Sequence, residues 1–257
     1  MLMNFSQSFK SLAIAFALAS LANLVATFSV RAESTLRYSP PPPPEDRGTP
    51  TGRSRGGASR DPLCGISGEP LTALVPSTPG ERLLEIVWAR TVADRPTFWF
   101  YVPYNLAPNL PVEFILEDDG NNVLYQSKFE VESSPGIVRF TLPDSVDPLE
   151  LDRLYRWSFK VYCHPTSPVF VRGWVERITL ESELQGELET ATPREQIALF
   201  AANGIWYDAI ANLAALRHSQ PEDTELLADW NSLLESVGLQ EIASEPIVEC
   251  CTPAPSP

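Results

Sequence analysis

The chain offers few residue constellations that could do chemistry. It has two histidines in 257 residues, His164 and His218. Cys163 and His164 are neighbours, so on a strand they point to opposite faces and cannot act as nucleophile and base. Zinc ligation needs Cys or His pairs at gaps of two to four residues, and the chain has none. No Walker loop, Gly-x-Gly-x-x-Gly or Gly-x-Ser-x-Gly occurs. Carboxylates are plentiful, but no spacing singles out a catalytic pair. No catalytic residue, metal ligand or cofactor is therefore assigned, and the sequence names no activity.

Two other patterns bear on ligands. Glu117-Asp118-Asp119-Gly120-Asn121-Asn122 reads as an oxygen-rich calcium loop or as a hairpin turn, and Asp-Gly between two apolar runs favours the turn. Phe98-Trp99-Phe100-Tyr101 puts aromatics on both faces of a strand, so something must cover the second face. Val169 to Val175 repeats the pattern, with valines on one side and Phe170, Arg172 and Trp174 on the other. Trp99, Tyr101, Phe170, Arg172 and Trp174 are the candidate ligand or partner surface. A strip of this kind binds glycan or peptide, or is covered by the chain's own C-terminal helices. The expectation is that Trp99, Tyr101, Phe170 and Trp174 line one shared surface under the helices after Pro193.

Around these residues the chain divides by composition. Lys and Arg number 19 against 33 Asp and Glu, a net charge of −14 that repels phosphate backbones, so nucleic acid is not an expected partner. Residues 1–32 read as a signal peptide: Lys10, then an apolar run from Ser11, ending in Val30-Arg31-Ala32 with small side chains three and one before the cut. The other reading is an uncleaved anchor, since the run approaches the length that spans a bilayer. Cleavage after Ala32 leaves no membrane span and places the protein in the periplasm, at the cell surface or outside. Residues 33–62, with Pro40 to Pro44 and a Gly/Arg-rich continuation, read as a disordered linker: a stiff polyproline rod followed by coil.

Residues 63–182 carry short apolar runs separated by turn residues, the rhythm of a β-sandwich. Eight strands are expected, near 71–75, 83–89, 97–102, 112–117, 123–131, 137–142, 155–163 and 169–180. Leu149, six residues before Tyr155, has the spacing of the tyrosine corner of immunoglobulin- and fibronectin-like antiparallel sandwiches. Residues 183–246 form an acidic helical subdomain. Thr192-Pro193-Arg194-Glu195 is a capping box with Pro at the first helical position, and Asn203-Gly204 stops that helix. Trp206, Ala209, Ile210 and Leu213, then Leu226, Leu227, Trp230, Leu233, Leu234 and Val237, recur at helical spacing. Gly204, Tyr207, Ala209, Leu213, Leu216 and Pro221 resemble half of a tetratricopeptide repeat, too little for a free-standing groove. The fold class expected is mainly β with α: a sandwich followed by one helical hairpin.

The tail, residues 247–257, holds two of the four cysteines. In an exported chain Cys64, Cys163, Cys250 and Cys251 are disulfide candidates with three possible connectivities. A Cys250–Cys251 bridge would strain neighbouring residues, which leaves two connectivities that both staple the tail to Cys64 and Cys163. A single Cys64–Cys163 bridge, with the tail thiols free or pairing between chains, stays open.

Leu71-Thr72-Ala73-Leu74-Val75-Pro76, Arg95 to Tyr104, Gly136-Ile137-Val138, Gly173-Trp174-Val175-Glu176-Arg177, Gly204-Ile205-Trp206-Tyr207-Asp208-Ala209 and Cys250-Cys251 together resemble a cyanobacterial family of exported proteins, domain of unknown function 928. The resemblance covers Cys64 to Cys251 and implies bacterial export, without an activity or catalytic residues. Two functions follow: a non-enzymatic interaction or structural module whose partner is an envelope protein or glycan, or a glycan-binding or glycan-processing surface protein using the aromatic strip. Covered tryptophans favour the first, an exposed platform the second. The oligomeric state is left open.

Overall fold

A computed structural model describes residues 36–44, 49–56, 69–81, 84–164, 166–248 and 250, so the expected signal peptide lies outside the described residues. Alternation makes the strands: Tyr155, Trp157, Phe159 and Val161 are buried on one side of a strand whose other side carries Arg156 and Lys160. Ten strands are described: β1 Thr51–Gly52, β2 Thr72–Ala73, β3 Ser77–Pro79, β4 Glu85–Thr91, β5 Thr97–Val102, β6 Val112–Glu117, β7 Val123–Phe129, β8 Gly136–Thr141, β9 Arg153–Val161 and β10 Val169–Arg177. The larger sheet runs β1-β4-β10-β9-β6-β7 with β3 on β4, and the smaller runs β2-β5-β8. Inner rings join them: Phe100 stacks on Phe159 at 4.1 Å and Phe98 meets Phe114 at 5.0 Å. The Tyr155 hydroxyl accepts from the Glu150 backbone N–H at 2.9 Å.

The fully antiparallel expectation is corrected in the larger sheet. β10 pairs β4 in parallel, with Trp174 opposite Trp88, which makes the larger sheet mixed. The chain leaves β4 for the smaller sheet and returns to β10 much later, so no hairpin turn forces the two strands to oppose. The Asp118–Asn122 loop is a hairpin turn. Asp118 accepts from the Asn122 N–H at 2.8 Å, and Asn121 takes a left-handed φ of 63°.

Four helices are described: α1 Ser182–Thr190, α2 Pro193–Ala202, α3 Trp206–Ser219 and α4 Thr224–Glu235. The capping box at α2 is reciprocal: Thr192 accepts from the Glu195 N–H while Glu195 accepts from the Thr192 N–H. Gly204 at φ +73° turns the chain from α2 into α3. α1 was not expected from the sequence, because it buries one residue, Leu188, and has no apolar stripe to read.

α3 meets the sheets where β2, opposite Phe100 and Tyr101, comes to an end. There Tyr207 meets Phe98 edge-on at 5.3 Å and accepts from the Trp157 indole N–H at 2.8 Å. Trp206, fully buried, donates to the Leu74 carbonyl at 2.9 Å. Sheets and helices thus share one core, and Gly204 and Tyr207, read as repeat-motif positions, serve this contact.

The linker expectation for residues 33–62 is corrected for residues 36–44 and 49–56, which pack on the body as a strap. Tyr38 is 6% exposed, stands edge-on to Trp206 at 5.1 Å and donates to the Gly204 carbonyl. Thr51 and Gly52 pair with Ile86 and Glu85 of β4, and Ser54 donates twice to the Glu85 carboxylate at 2.8 Å. Composition predicted a segment with nothing to bury, but single residues between prolines and glycines suffice once a sheet edge offers backbone partners.

Candidate functional site

The five candidate residues split between two outer faces. Because Phe98 and Phe100 point inward, Trp99 and Tyr101 point out of the smaller sheet. Both are 5% exposed and so are covered within the chain. The Tyr101 hydroxyl has Glu245, in the segment after the helices, beside it. Burial, with Glu245 and Glu69 beside it, raises its pKa. Behind that face the tail extends the small sheet: Ile247 bridges Ile137 in parallel, and the Val248 N–H donates to the Ile137 carbonyl at 2.9 Å.

Phe170, Arg172 and Trp174 point out of the larger sheet instead, since Val171, Gly173 and Val175 face the core. The shared surface expected for all four aromatics therefore does not exist. Two strands of different sheets turn their outer faces in opposite directions. Nor are helices the cover on this side. The Trp174 indole N–H donates to the Thr51 carbonyl of the strap at 3.0 Å. The strap passes into the fork where β4 diverges from β10, so tightly that a Cβ on Gly52 would lie 2.5 Å from the Arg172 carbonyl oxygen.

One further residue belongs to this face and was not among the sequence candidates. Arg53 bridges Arg172 antiparallel, with backbone hydrogen bonds of 2.8 and 2.9 Å in the two directions. Its guanidinium lies over the Phe170 ring, 4.9 Å from the centroid. The signal available in the sequence was the Arg53-Ser54-Arg55 alternation itself, which composition masked as linker.

The charges bordering the face are matched. Arg156 grips Glu117 with two bonds of 2.9 and 3.0 Å and also lies over Trp174. Arg90 bonds Glu176. Glu113 accepts from Gln126, Lys160 and Tyr162 at 2.8, 2.9 and 2.8 Å. Burial alone would raise the Glu113 pKa, but those three bonds outweigh it and hold the carboxyl below its ordinary range. The Tyr162 hydroxyl is pushed up to about 12 by burial and by Glu113.

Other buried polar groups serve packing. Asp208 of α3 accepts from the Thr91 hydroxyl and the Val92 N–H at 2.8 and 3.0 Å, and burial raises its pKa. A cleft of about 580 Å³ lies beside Leu36, Arg37 and the start of α2, but its Arg194 is already bonded to Asp229 and Glu225. Among the described residues no group of three or more His, Cys, Asp or Glu could hold a metal, and no helix is long and apolar enough to cross a membrane. Neither Cys163 nor Cys250 is a free thiol, and Cys64 and Cys251 lie outside the described residues.

A family model described as Domain of Unknown Function (DUF928) matches residues 55–247. No curated protein matches. Among solved structures, a Parabacteroides merdae beta-glucuronidase with glycerol in its active site is 13% identical, over 40% of this chain and 13% of that one, with a TM-score of 0.24. At that score the likeness carries no argument.

Proposed function

The chain belongs to the DUF928 family, and from that premise we propose that it is an exported, non-enzymatic interaction module of the bacterial periplasm or cell surface. One observation carries this: the face of Arg53, Phe170, Arg172 and Trp174 is only part covered, with Arg53 exposed, while the buried Asp208, Tyr207 and Glu113 are bonded within the chain. Burial of Trp99 and Tyr101 removes half of the strip on which a broad glycan platform would rest. The two sheets are read more finely as an immunoglobulin- or fibronectin-like sandwich, supported by the Tyr155 corner and the facing inner rings. The cysteines are read as disulfides, supported by the absence of a free thiol at Cys163 and Cys250, and the pairing that staples the tail is proposed because a Cys250–Cys251 bridge would strain neighbouring residues.

Intact-mass analysis of exported material, followed by affinity capture from envelope extract, tests the reading. The mass expected is that of Glu33–Pro257, and components captured by the natural chain are expected to be lost with Arg172→Glu. Retention of residues 1–32 would overturn the processing, and identical capture by both chains would overturn the surface.

A further inference from the structure

The open face holds two guanidiniums, Arg53 and Arg172, that make no ion pair among the described residues. Arg53 and Arg172 stand directly opposite in a hydrogen-bonded antiparallel bridge, so their side chains leave the same face, with Cα atoms about 5.5 Å apart. Like charges in that position oppose each other. Neither makes an ion pair with a described carboxylate, although the chain carries 33 acidic residues and Arg90, Arg156 and Lys160 on this face each have one. The Arg172 Nε is buried without an acceptor. Beside them Phe170 and Trp174 are half-buried, the first already under Arg53.

We propose that the Arg53–Arg172 pair is a binding site for the carboxylate groups of an anionic polysaccharide, with Phe170 and Trp174 as the apolar surface for its sugar rings. This rests on reading the same face as the partner surface. Two forked guanidiniums on one side supply donors in the plane that a carboxylate accepts, and the partner's charge relieves their mutual repulsion. A sugar ring adds an apolar face that stacks on an aromatic side chain, which a simple anion lacks. The site is composite, because Arg53 arrives on the strap and Arg172 on β10. It therefore exists only while the strap is docked. The surrounding net charge of −14 disfavours long polyanions at a distance, so binding is local and falls with ionic strength.

The test uses the chain Glu33–Pro257 and four probes: polygalacturonate, neutral dextran, poly-glutamate and inorganic phosphate, titrated at low and at physiological salt. Polygalacturonate is expected to bind and dextran not. Arg53→Gln and Arg172→Gln are each expected to weaken polygalacturonate about tenfold, the equivalent of about 1.4 kcal/mol. Lysine at either position is expected to restore part of the loss. Phe170→Leu is expected to weaken polygalacturonate while leaving melting temperature unchanged, which separates a binding loss from a folding loss. Binding that survives Arg53→Gln together with Arg172→Gln overturns the site. Poly-glutamate or phosphate binding as well as polygalacturonate, with the same arginine dependence, overturns the ligand class. Envelope components that need Arg172, in a chain that ignores polygalacturonate, would sink this proposal and leave the interaction reading standing.

Discussion

The two outer faces begin from the same sequence pattern and end differently. On the smaller sheet, Trp99 and Tyr101 are sealed within the chain, with Glu245 over the tyrosine and the tail strand beside it. On the larger sheet, Phe170 and Trp174 are only half covered, by a strap that brings a further arginine with it. Aromatic residues on both sides of a strand require a cover, and the nature of that cover decides whether the face is core or site. The closed face is an apolar layer finished by the chain's own C-terminal segment. The open face is bordered by matched ion pairs around two unmatched arginines.

The closed face should respond most strongly to loss of its staples. If Cys250 and Cys251 bridge to Cys64 and Cys163 as proposed, each bridge closes a loop of many tens of residues and contributes roughly 3 to 5 kcal/mol. Reduction is then expected to lower the urea midpoint and increase hydrophobic dye binding, as the tail leaves β8. Non-reducing peptide mapping checks the pairing, and a map in which Cys250 joins only Cys251 would remove the staple.

Next in size is the helical plug. Trp206 is wholly buried, is bonded to Leu74 and stands against Tyr38, while the Leu74 N–H donates in turn to the Trp99 carbonyl. Trp206→Ala is expected to cost about 3–5 kcal/mol in equilibrium unfolding, with fluorescence and circular dichroism losing sheet and helix together. A separate early transition for the helices would break the claim of a shared core.

The strap is the corresponding test of the open face. Gly52 has no room for a side chain, with the Arg172 carbonyl at 2.5 Å and the Val87 Cβ at 2.7 Å from an added Cβ. Gly52→Val is expected to cost about 1–3 kcal/mol, to speed proteolysis before residue 56, and to abolish anion binding by removing Arg53. Unchanged proteolysis would mean that the strap is not held at this point.

Much of this fold was legible because alternation is a local signal. The strands over 97–102 and 112–117 lie at the expected residues, and the capping box at Thr192 marks the start of α2. What escaped was non-local. α1 has no stripe, β1 is two residues whose strand character comes from β4, and the parallel approach of β4 to β10 is set by the whole path between them. The site was half legible for the same reason. Phe170, Arg172 and Trp174 announce themselves on one strand, whereas Arg53 joins them only through a bridge to a segment whose prolines and glycines read as spacer. Trp99 and Tyr101 showed the same two-sided pattern, and only tertiary packing assigned them to core.

The smallest effect expected concerns the matched border of the open face. Glu113 is held below its ordinary pKa by Gln126, Lys160 and Tyr162, so its folded value lies under its unfolded one. A depressed carboxyl contributes stability above the unfolded value, about 4.3, and that contribution disappears as pH falls through the folded value. Glu113→Gln should therefore cost about 1–3 kcal/mol at pH 7, where a charge-assisted acceptor is replaced by a neutral group. The cost should shrink toward zero as the pH is lowered below 4, because the natural chain then loses the same charge. Urea unfolding of both chains across that range reads the difference directly. Tyr162→Phe removes one of the three donors and should show a smaller loss with the same pH trend. Because this border is satisfied internally, neither change should alter polygalacturonate affinity. A cost that is constant from pH 7 to pH 3 would show that Glu113 acts by packing alone. A loss of polygalacturonate binding would show that the matched and unmatched charges of the face work as one set.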